Sequence, residues 1–249
     1  MHRFYLRTDA KVGDTVTLDD HDSHHAARVL RMTGGERVEI LSGSGRCLRG
    51  QVVEVGKRAT RIAVESVEAR RSPPRVALAP SWIKGKAMDF LVQKATELGV
   101  TRLCPLMTER AVVKSSADEG PRRVEDWTRT AVEACKQCGN PWMPRIDPPA
   151  TLAGFLRERS PGLLLVASLR ADARMLRGIL DDVGYGSGEV TLVLGPEGDF
   201  TPGEEDALRA GGAKPMSLGP LVLRAETAAI AGLSLIQYEV ALRDGQAPN

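Results

Sequence analysis

Aromatic side chains make up only 4% of the 249 residues, too few for the stacked-ring platforms that single-strand nucleic-acid binders use. Long apolar runs are missing as well. The longest clean one, residues 163–167, is far too short to span a bilayer, and the opening Met1-His2-Arg3-Phe4-Tyr5-Leu6-Arg7 has no apolar signal core. A cytoplasmic protein with no membrane partner is expected. Cysteine is sparse: Cys47 and Cys104 stand alone, which points to reduced thiols and not to a disulfide framework. Cys135 and Cys138 are closely spaced, but a structural zinc needs four ligands and there is no second close pair, so no metal is expected. An excess of one charge is also lacking. With 34 Lys plus Arg against 32 Asp plus Glu the formal net charge is +2, which argues against coating nucleic acid by bulk electrostatics. What remains is a chain with 42% hydrophobic residues, long enough for one large or two modest domains.

The apolar pattern changes near residue 72. Before it, period-two runs such as Thr15-Val16-Thr17-Leu18, Val38-Glu39-Ile40 and Gln51-Val52-Val53-Glu54-Val55 alternate with Gly-rich turns, the pattern of a small antiparallel barrel or sandwich. One short helix interrupts them between His24 and Leu30, behind an Asp22-Ser23 cap. Ser72-Pro73-Pro74 then reads as a linker, because consecutive prolines continue neither a ladder nor a helix. Beyond it, strand-like runs at 76–79, 102–105, 163–167, 190–194 and 215–218 alternate with helical stretches at 85–98, 124–138, 172–180, 203–210 and 227–242. That alternation predicts an α/β domain, a mostly parallel sheet with helices on both faces. Two domains are expected, 1–72 and 73–249. The first carries 13 basic and 10 acidic side chains and the second 21 and 22, so the first is the better candidate for an anionic partner.

Two loops of the second domain can carry chemistry. In Leu194-Gly195-Pro196-Glu197-Gly198-Asp199-Phe200-Thr201-Pro202-Gly203-Glu204 a buried strand runs into a tight turn, and a helix opens with Thr201 as N-cap, Pro202 at its first position and Glu204 placed for a capping box. Ligands of α/β sheets bind at this end of the strands. A phosphate loop would need a Lys or a Gly-x-Gly-x-x-Gly spacing, and neither is present; Glu197 and Asp199 would repel phosphate. Carboxylates beside close-approaching backbone suit hydroxyls, an amino group or a cation, as in a nucleoside-like ligand without phosphates. The second loop, Ser217-Leu218-Gly219-Pro220-Leu221-Val222-Leu223-Arg224-Ala225-Glu226-Thr227-Ala228, delivers Arg224 and Glu226 to the start of the last helix. Glu is favoured at a helix N-terminus and Arg is not, so Arg224 points to function.

With Gln93-Lys94-Ala95-Thr96-Glu97-Leu98-Gly99-Val100, these loops closely resemble the RsmE-type methyltransferases, members of the SPOUT class that methylate N3 of a uridine in 16S ribosomal RNA. The resemblance covers nearly the whole chain and includes Val29-Leu30-Arg31, Thr108-Glu109-Arg110 and Glu133-Ala134 with Gln137. It implies an RNA-binding PUA-like β-barrel followed by a SPOUT-type α/β domain whose C-terminal end forms a trefoil knot, a rare exception to the no-knot rule. It also implies a homodimer that binds S-adenosylmethionine in the knot and takes 16S ribosomal RNA or the 30S ribosomal subunit as partner. Carried onto this chain, the cofactor site falls on Leu194, Gly195, Pro196, Glu197, Gly198, Ser217, Leu218, Gly219, Leu223, Thr227 and Ala228. Arg224 and Glu226 become the catalytic candidates, and Arg28, Arg31, Lys86, Lys94 and Arg110 the RNA contacts. The chain departs from the family pattern at Asp199, where a second Gly is usual, and at Asn140, where an Arg is usual.

Two other readings stay open at this point. One is a non-catalytic RNA-binding or ribosome-assembly protein on the same fold, against which the intact loops, Arg224 and Glu226 count. The other is a nucleotide-phosphate enzyme, against which the missing phosphate loop counts.

Overall fold

The protein, seen as a computed structural model, is described over residues 1–111, 119–184 and 188–243. It divides into two compact units, Met1–Pro73 with Val132–Met143, and Pro74–Ala131 with Pro144–Asn249. The proline linker at 73–74 marks the first division; that residues 132–143 join the first unit is a tertiary fact no local signal announces.

In the first unit, β1 (His2–Tyr5), β2 (Thr15–Thr17), β3 (Arg37–Leu41), β4 (Arg46–Glu54) and β5 (Arg61–Ala69) form one sheet in the order β1-β3-β4-β5-β2. Alternation sends Val38 and Ile40 of β3 into a core shared with Phe4, Leu48 and Ile62. The sheet is open among the described residues, with β1 and β2 as its edges, where a small antiparallel barrel or sandwich was expected. Moreover, β1 pairs with β3 in parallel. A parallel pair needs a long crossover, and the chain between them, which holds β2 and the helical turn, supplies it. That turn is α1 (Asp20–His24), continuing directly into a π-helical turn, His25–Val29. Its cap is Asp19, whose side chain accepts from the Asp22 N–H at 2.7 Å, so the helix starts earlier than Asp22-Ser23 suggested. Those two residues are buried instead. Ser23 Oγ donates to the Leu18 carbonyl and accepts from the Thr60 N–H, and Asp22 meets Lys136 at 3.0 Å.

The second unit contains β6 (Val76–Pro80), α2 (Lys86–Glu97), β7 (Arg102–Leu103) and β8 (Leu106–Met107), then α3 (Glu119–Cys138), whose last turns belong to the first unit. It continues with β9 (Arg145–Ile146), β10 (Ala150–Thr151), α4 (Leu152–Glu158), β11 (Gly162–Ala167), α5 (Leu176–Val183), β12 (Glu189–Leu194), α6 (Pro202–Ala210), β13 (Lys214–Met216) and α7 (Ala225–Arg243). Six strands form a wholly parallel sheet in the order β13-β11-β12-β6-β7-β9. The expected strand at 102–105 is divided at Pro105 into β7 and β8, because proline donates nothing to a ladder. Helix α4 was not foreseen: two turns long, it gives too little periodicity to read.

All six residues of β12 are buried, as expected of a strand covered on both faces. Val193 joins Leu164 and Val166 of β11 in a core with Leu152 and Phe155 of α4 and Leu208 of α6. Leu192, one residue back, points to the other face and meets α7. Each such side chain contributes about 1.5–3 kcal/mol on burial. The last helix approaches this face through Gly232, where a Cβ would come within 2.5 Å of Leu192 Cδ2 and 3.4 Å of Leu218 Cδ2. The helix, the central strand and the segment after β13 are thereby locked together. Among the described residues no helix is long and apolar enough to cross a membrane.

Gly232→Val should lower the thermal midpoint through an overpacking cost of about 1–3 kcal/mol. Calorimetric unfolding reads it, and an unchanged midpoint would show that α7 is not locked onto β12.

Candidate active site

Loops leaving the C-terminal ends of β11, β12 and β13 meet around a cavity of about 350 Å³, inside the range of about 300–1,000 Å³ usual for small-molecule sites. Its walls come from Ala167, Ser168 and Leu169 after β11, Leu194 to Glu197 and Asp199 after β12, and Leu218 with residues 221–225 and Ala228 after β13. This is the strand end where ligands of parallel sheets bind.

The loop after β12 is held from several sides. The Leu194 carbonyl accepts from the Ser81 N–H at 2.8 Å and from Ser81 Oγ at 3.0 Å, and Thr108 Oγ1 lies 3.1 Å from that hydroxyl. Arg110 donates to the carbonyls of Gly198 at 2.8 Å and Phe200 at 3.3 Å. The predicted capping box is present at the start of α6: Thr201 Oγ1 accepts from the Glu204 N–H, and Glu204 Oε2 accepts from the Thr201 N–H at 2.9 Å. Glu204 Oε1 also accepts from the Glu109 N–H at 2.9 Å, so one carboxylate ties two loops together. A Cβ on Gly195 would lie 3.1 Å from Asp199 Oδ1 and 3.3 Å from the Phe200 ring, so a side chain there is accommodated only if those neighbours give by a few tenths of an ångström. Its smallness lets the loop fold closely over itself.

The loop after β13 turns where Ser217 Oγ accepts from the Gly219 N–H at 3.2 Å, with Gly219 at φ 110°, a conformation glycine adopts without strain. Leu221 and Val222 then line the cavity while 71% and 83% exposed. Arg224 stands at the rim, exposed; among the described residues its guanidinium has no recorded hydrogen bond or ion pair. Of the predicted cofactor and catalytic residues, Leu194, Gly195, Pro196, Glu197, Leu218, Leu223, Arg224 and Ala228 come together around the cavity. Gly198, Ser217 and Gly219 belong to the same loops, and Thr227 to the first turn of α7, without lining it. Glu226 is half-buried in the first turn of α7, off the cavity wall and without an ion pair to Arg224, so it does not orient that side chain. The sequence reading missed Ala167, Ser168 and Leu169 altogether. Their position directly after a buried parallel strand was the signal that could have found them.

The predicted RNA contacts separate into free and engaged groups. Arg28 on the π-helical turn, Arg31 at φ 52° and Lys86 at the start of α2 are exposed. Lys94 is bound by Glu97 at 2.8 and 2.9 Å and lies over the Phe90 ring, and Arg110 is spent on the loop carbonyls. Burial pushes the thiols of Cys104 and Cys135 up to about 12, which keeps them protonated and unreactive at neutral pH. Asp19, His21 and Asp22 bring ligand atoms within 4.8 Å of one another, but Asp19 caps α1 and Asp22 pairs with Lys136.

Residues 70–237 match the family model of an RNA methyltransferase domain, and residues 18–64 that of an RNA methyltransferase PUA domain. Ribosomal RNA small subunit methyltransferase E of Synechocystis is 31% identical over 94% of this chain and 77% of its own length. That of Bacillus subtilis is 28% identical over 98% of this chain and 99% of its own. Among solved structures, ribosomal RNA small subunit methyltransferase E from Neisseria gonorrhoeae bound to S-adenosyl methionine aligns with a TM-score of 0.86 at 30% identity, covering 96% of this chain and 98% of the other. A Legionella pneumophila protein in complex with the cofactor SAM aligns with a TM-score of 0.87 at 32% identity, covering 95% and 97%.

Glu204→Ala removes a cap and leaves the Thr201 and Glu109 N–H groups without their acceptor, at an expected cost of about 1–3 kcal/mol. Urea unfolding checks it; an unmoved midpoint would reject the tie between the two loops.

Proposed function

The chain belongs to the RNA methyltransferase family, and from that premise we propose that it transfers a methyl group from S-adenosylmethionine to N3 of a uracil in the 16S ribosomal RNA of the small ribosomal subunit. The observation that carries this reading is the cavity where the two Gly-Pro loops meet, with carboxylates on one wall, apolar side chains on the others and an unpartnered Arg at the rim. The fit to the cofactor is chemical. Leu194, Leu218 and Leu223 offer apolar surface for an adenine, the loop backbone offers hydrogen-bonding edges for a ribose, and Glu197 and Asp199 suit a cation. Among the described residues no Lys lines the cavity, as befits a ligand without phosphates. When bound, S-adenosylmethionine supplies a methyl group made electrophilic by its sulfonium.

The protein's part is alignment and charge. Uracil N3–H is a poor nucleophile until its proton leaves, and a positive group beside the ring stabilises the anion that remains. Arg224 meets that need because among the described residues no internal partner neutralises it. Glu226 serves the N-terminus of α7, where a carboxylate is favoured. The pinned loops hold the donor for in-line attack, the alignment through which such displacements gain most of their rate.

In this reading, residues 1–72 dock RNA through the exposed Arg28 and Arg31, and the exposed Lys86 is an RNA contact of the second unit by itself. Residues 73–249 bind the cofactor and dimerise. The exposed Leu235, Tyr238 and Leu242 of α7, three and four positions apart, make one apolar stripe that supports a homodimer. The finer reading of the fold is a trefoil knot at the C-terminal end. It is supported by the way the chain passes from β13, outermost in the sheet, past the loop after β12 to α7, which packs on β12 and β6. A cytoplasmic location follows from the ribosomal substrate.

Labelled S-adenosylmethionine incubated with the protein and purified 30S subunits should place label on uracil N3 of 16S ribosomal RNA. Donor binding without transfer would favour the non-catalytic assembly protein instead. Arg224→Ala should slow single-turnover methylation by about 10²–10³-fold, well beyond any loss of donor affinity; retained turnover would sink the role given to Arg224. Light scattering should return a dimeric mass for the unaltered chain and a monomeric one for the Leu235→Asp, Tyr238→Asp double variant, and a monomeric unaltered chain would reject the dimer.

A further inference from the structure

Asp199 combines three features that belong together. Its backbone lies in the left-handed region at φ 59°, which a residue with a side chain rarely adopts and glycine takes freely. Its Oδ1 accepts from the Phe200 N–H at 2.8 Å and lies 3.1 Å from where a Cβ on Gly195 would stand, so the carboxylate is folded back over a glycine of the cavity wall. Among the described residues its other oxygen has no recorded partner, and no recorded ion pair neutralises it. The surrounding cations are committed elsewhere. Arg110 holds the carbonyls on either side, at Gly198 and Phe200; Arg170 pairs with Glu205, and Arg209 with Asp172. Among the described residues the cavity thus holds two carboxylates, Glu197 and Asp199, against Arg224.

We propose that Asp199 is a specificity-determining residue that makes the cavity prefer the sulfonium donor to its spent thioether product, an inference that rests on the donor-binding reading above. In the transfer, the bond between sulfur and the methyl carbon breaks with its electron pair returning to sulfur, a bond from uracil N3 to that carbon forms, and the N3 proton passes to water. Donor and product therefore differ by one methyl group and one positive charge. Apolar walls and backbone edges hold adenine, ribose and the amino-acid tail of both alike, so they discriminate little. A fixed negative charge acts on the one feature that changes. It strengthens binding before transfer and withdraws that advantage afterwards, which eases product release. The hydrogen bond to Phe200 N–H holds the exposed carboxylate at the wall, and among the described residues no cation pairs with it.

The test is calorimetric binding to the full chain of S-adenosylmethionine, S-adenosylhomocysteine and sinefungin, a non-reactive analogue with an ammonium-bearing carbon in place of the sulfonium. Asp199→Asn keeps an oxygen to accept from Phe200 N–H and tolerates the left-handed backbone while removing the charge. Asp199→Gly suits the backbone and removes the side chain. Both variants should bind S-adenosylmethionine and sinefungin about three- to tenfold more weakly at low salt, the size expected of one partly solvated charge. S-adenosylhomocysteine affinity should stay unchanged, and the loss should shrink as salt is raised. Equal losses for donor and product, or none for either, would overturn the proposal, and thermal midpoints confirm that the variants fold. If the unaltered chain binds none of the three compounds, the donor-binding reading itself falls and this proposal with it.

Discussion

Where β12 ends, the carbonyl of Leu194 accepts two hydrogen bonds from Ser81, one from its N–H and one from its hydroxyl. Two donors thus hold that oxygen, and the chain turns at Gly195 from a fixed point. The strand behind it is buried along its whole length between β11 and β6, which makes the anchor as rigid as the core. Everything in the site is measured from there. Arg110 and Glu204 hold the far side of the turn, and Gly232 lets α7 carry the opposing loop close against the same strand. A cavity built on rigid strand ends is preformed, so little ordering is left for a ligand to cause.

Charge is arranged locally in the same spirit. A net charge of +2 describes the chain and neither of its parts. Of the five cations that the sequence assigns to RNA, Lys94 is balanced by Glu97 and Arg110 is bonded to two carbonyls, while Arg28, Arg31 and Lys86 stay exposed. Arg224 is different because it sits at a helix N-terminus, where the helix dipole offers it nothing and among the described residues no carboxylate pairs with it. Opposite it lie Glu197 and Asp199, so the cavity presents separated charges of both signs to a ligand that carries a cationic centre near a reacting base.

The loops of the site were legible in the sequence to a useful degree. Thr201, Pro202 and Glu204 announce a helix start by local chemistry alone, and the structure has that capping box atom for atom. The parallel sheet was legible from alternation of strand-like and helical runs. Other features were not, because their causes are non-local. The parallel pairing of β1 with β3 depends on a crossover, and Asp22 looked like a cap when its partner is Lys136, far along the chain. Arg110 looked like a free cation until the fold brought the Gly198 carbonyl to it. Ala167, Ser168 and Leu169 carry no chemistry of their own and join the site only because β11 lies beside β12.

By itself, then, the sequence determined which segments become strands, helices and caps, and which loops hold Gly, Glu and Arg in family order, since periodicity and capping act over a few residues. The tertiary structure decided which of those residues face one cavity, which cations are spent on carbonyls and carboxylates, and that Asp199 must hold a left-handed backbone against Gly195. Those outcomes depend on packing between strands and helices distant in the chain, where hydrogen bonds and close contacts are chosen by shape and no local pattern records the choice.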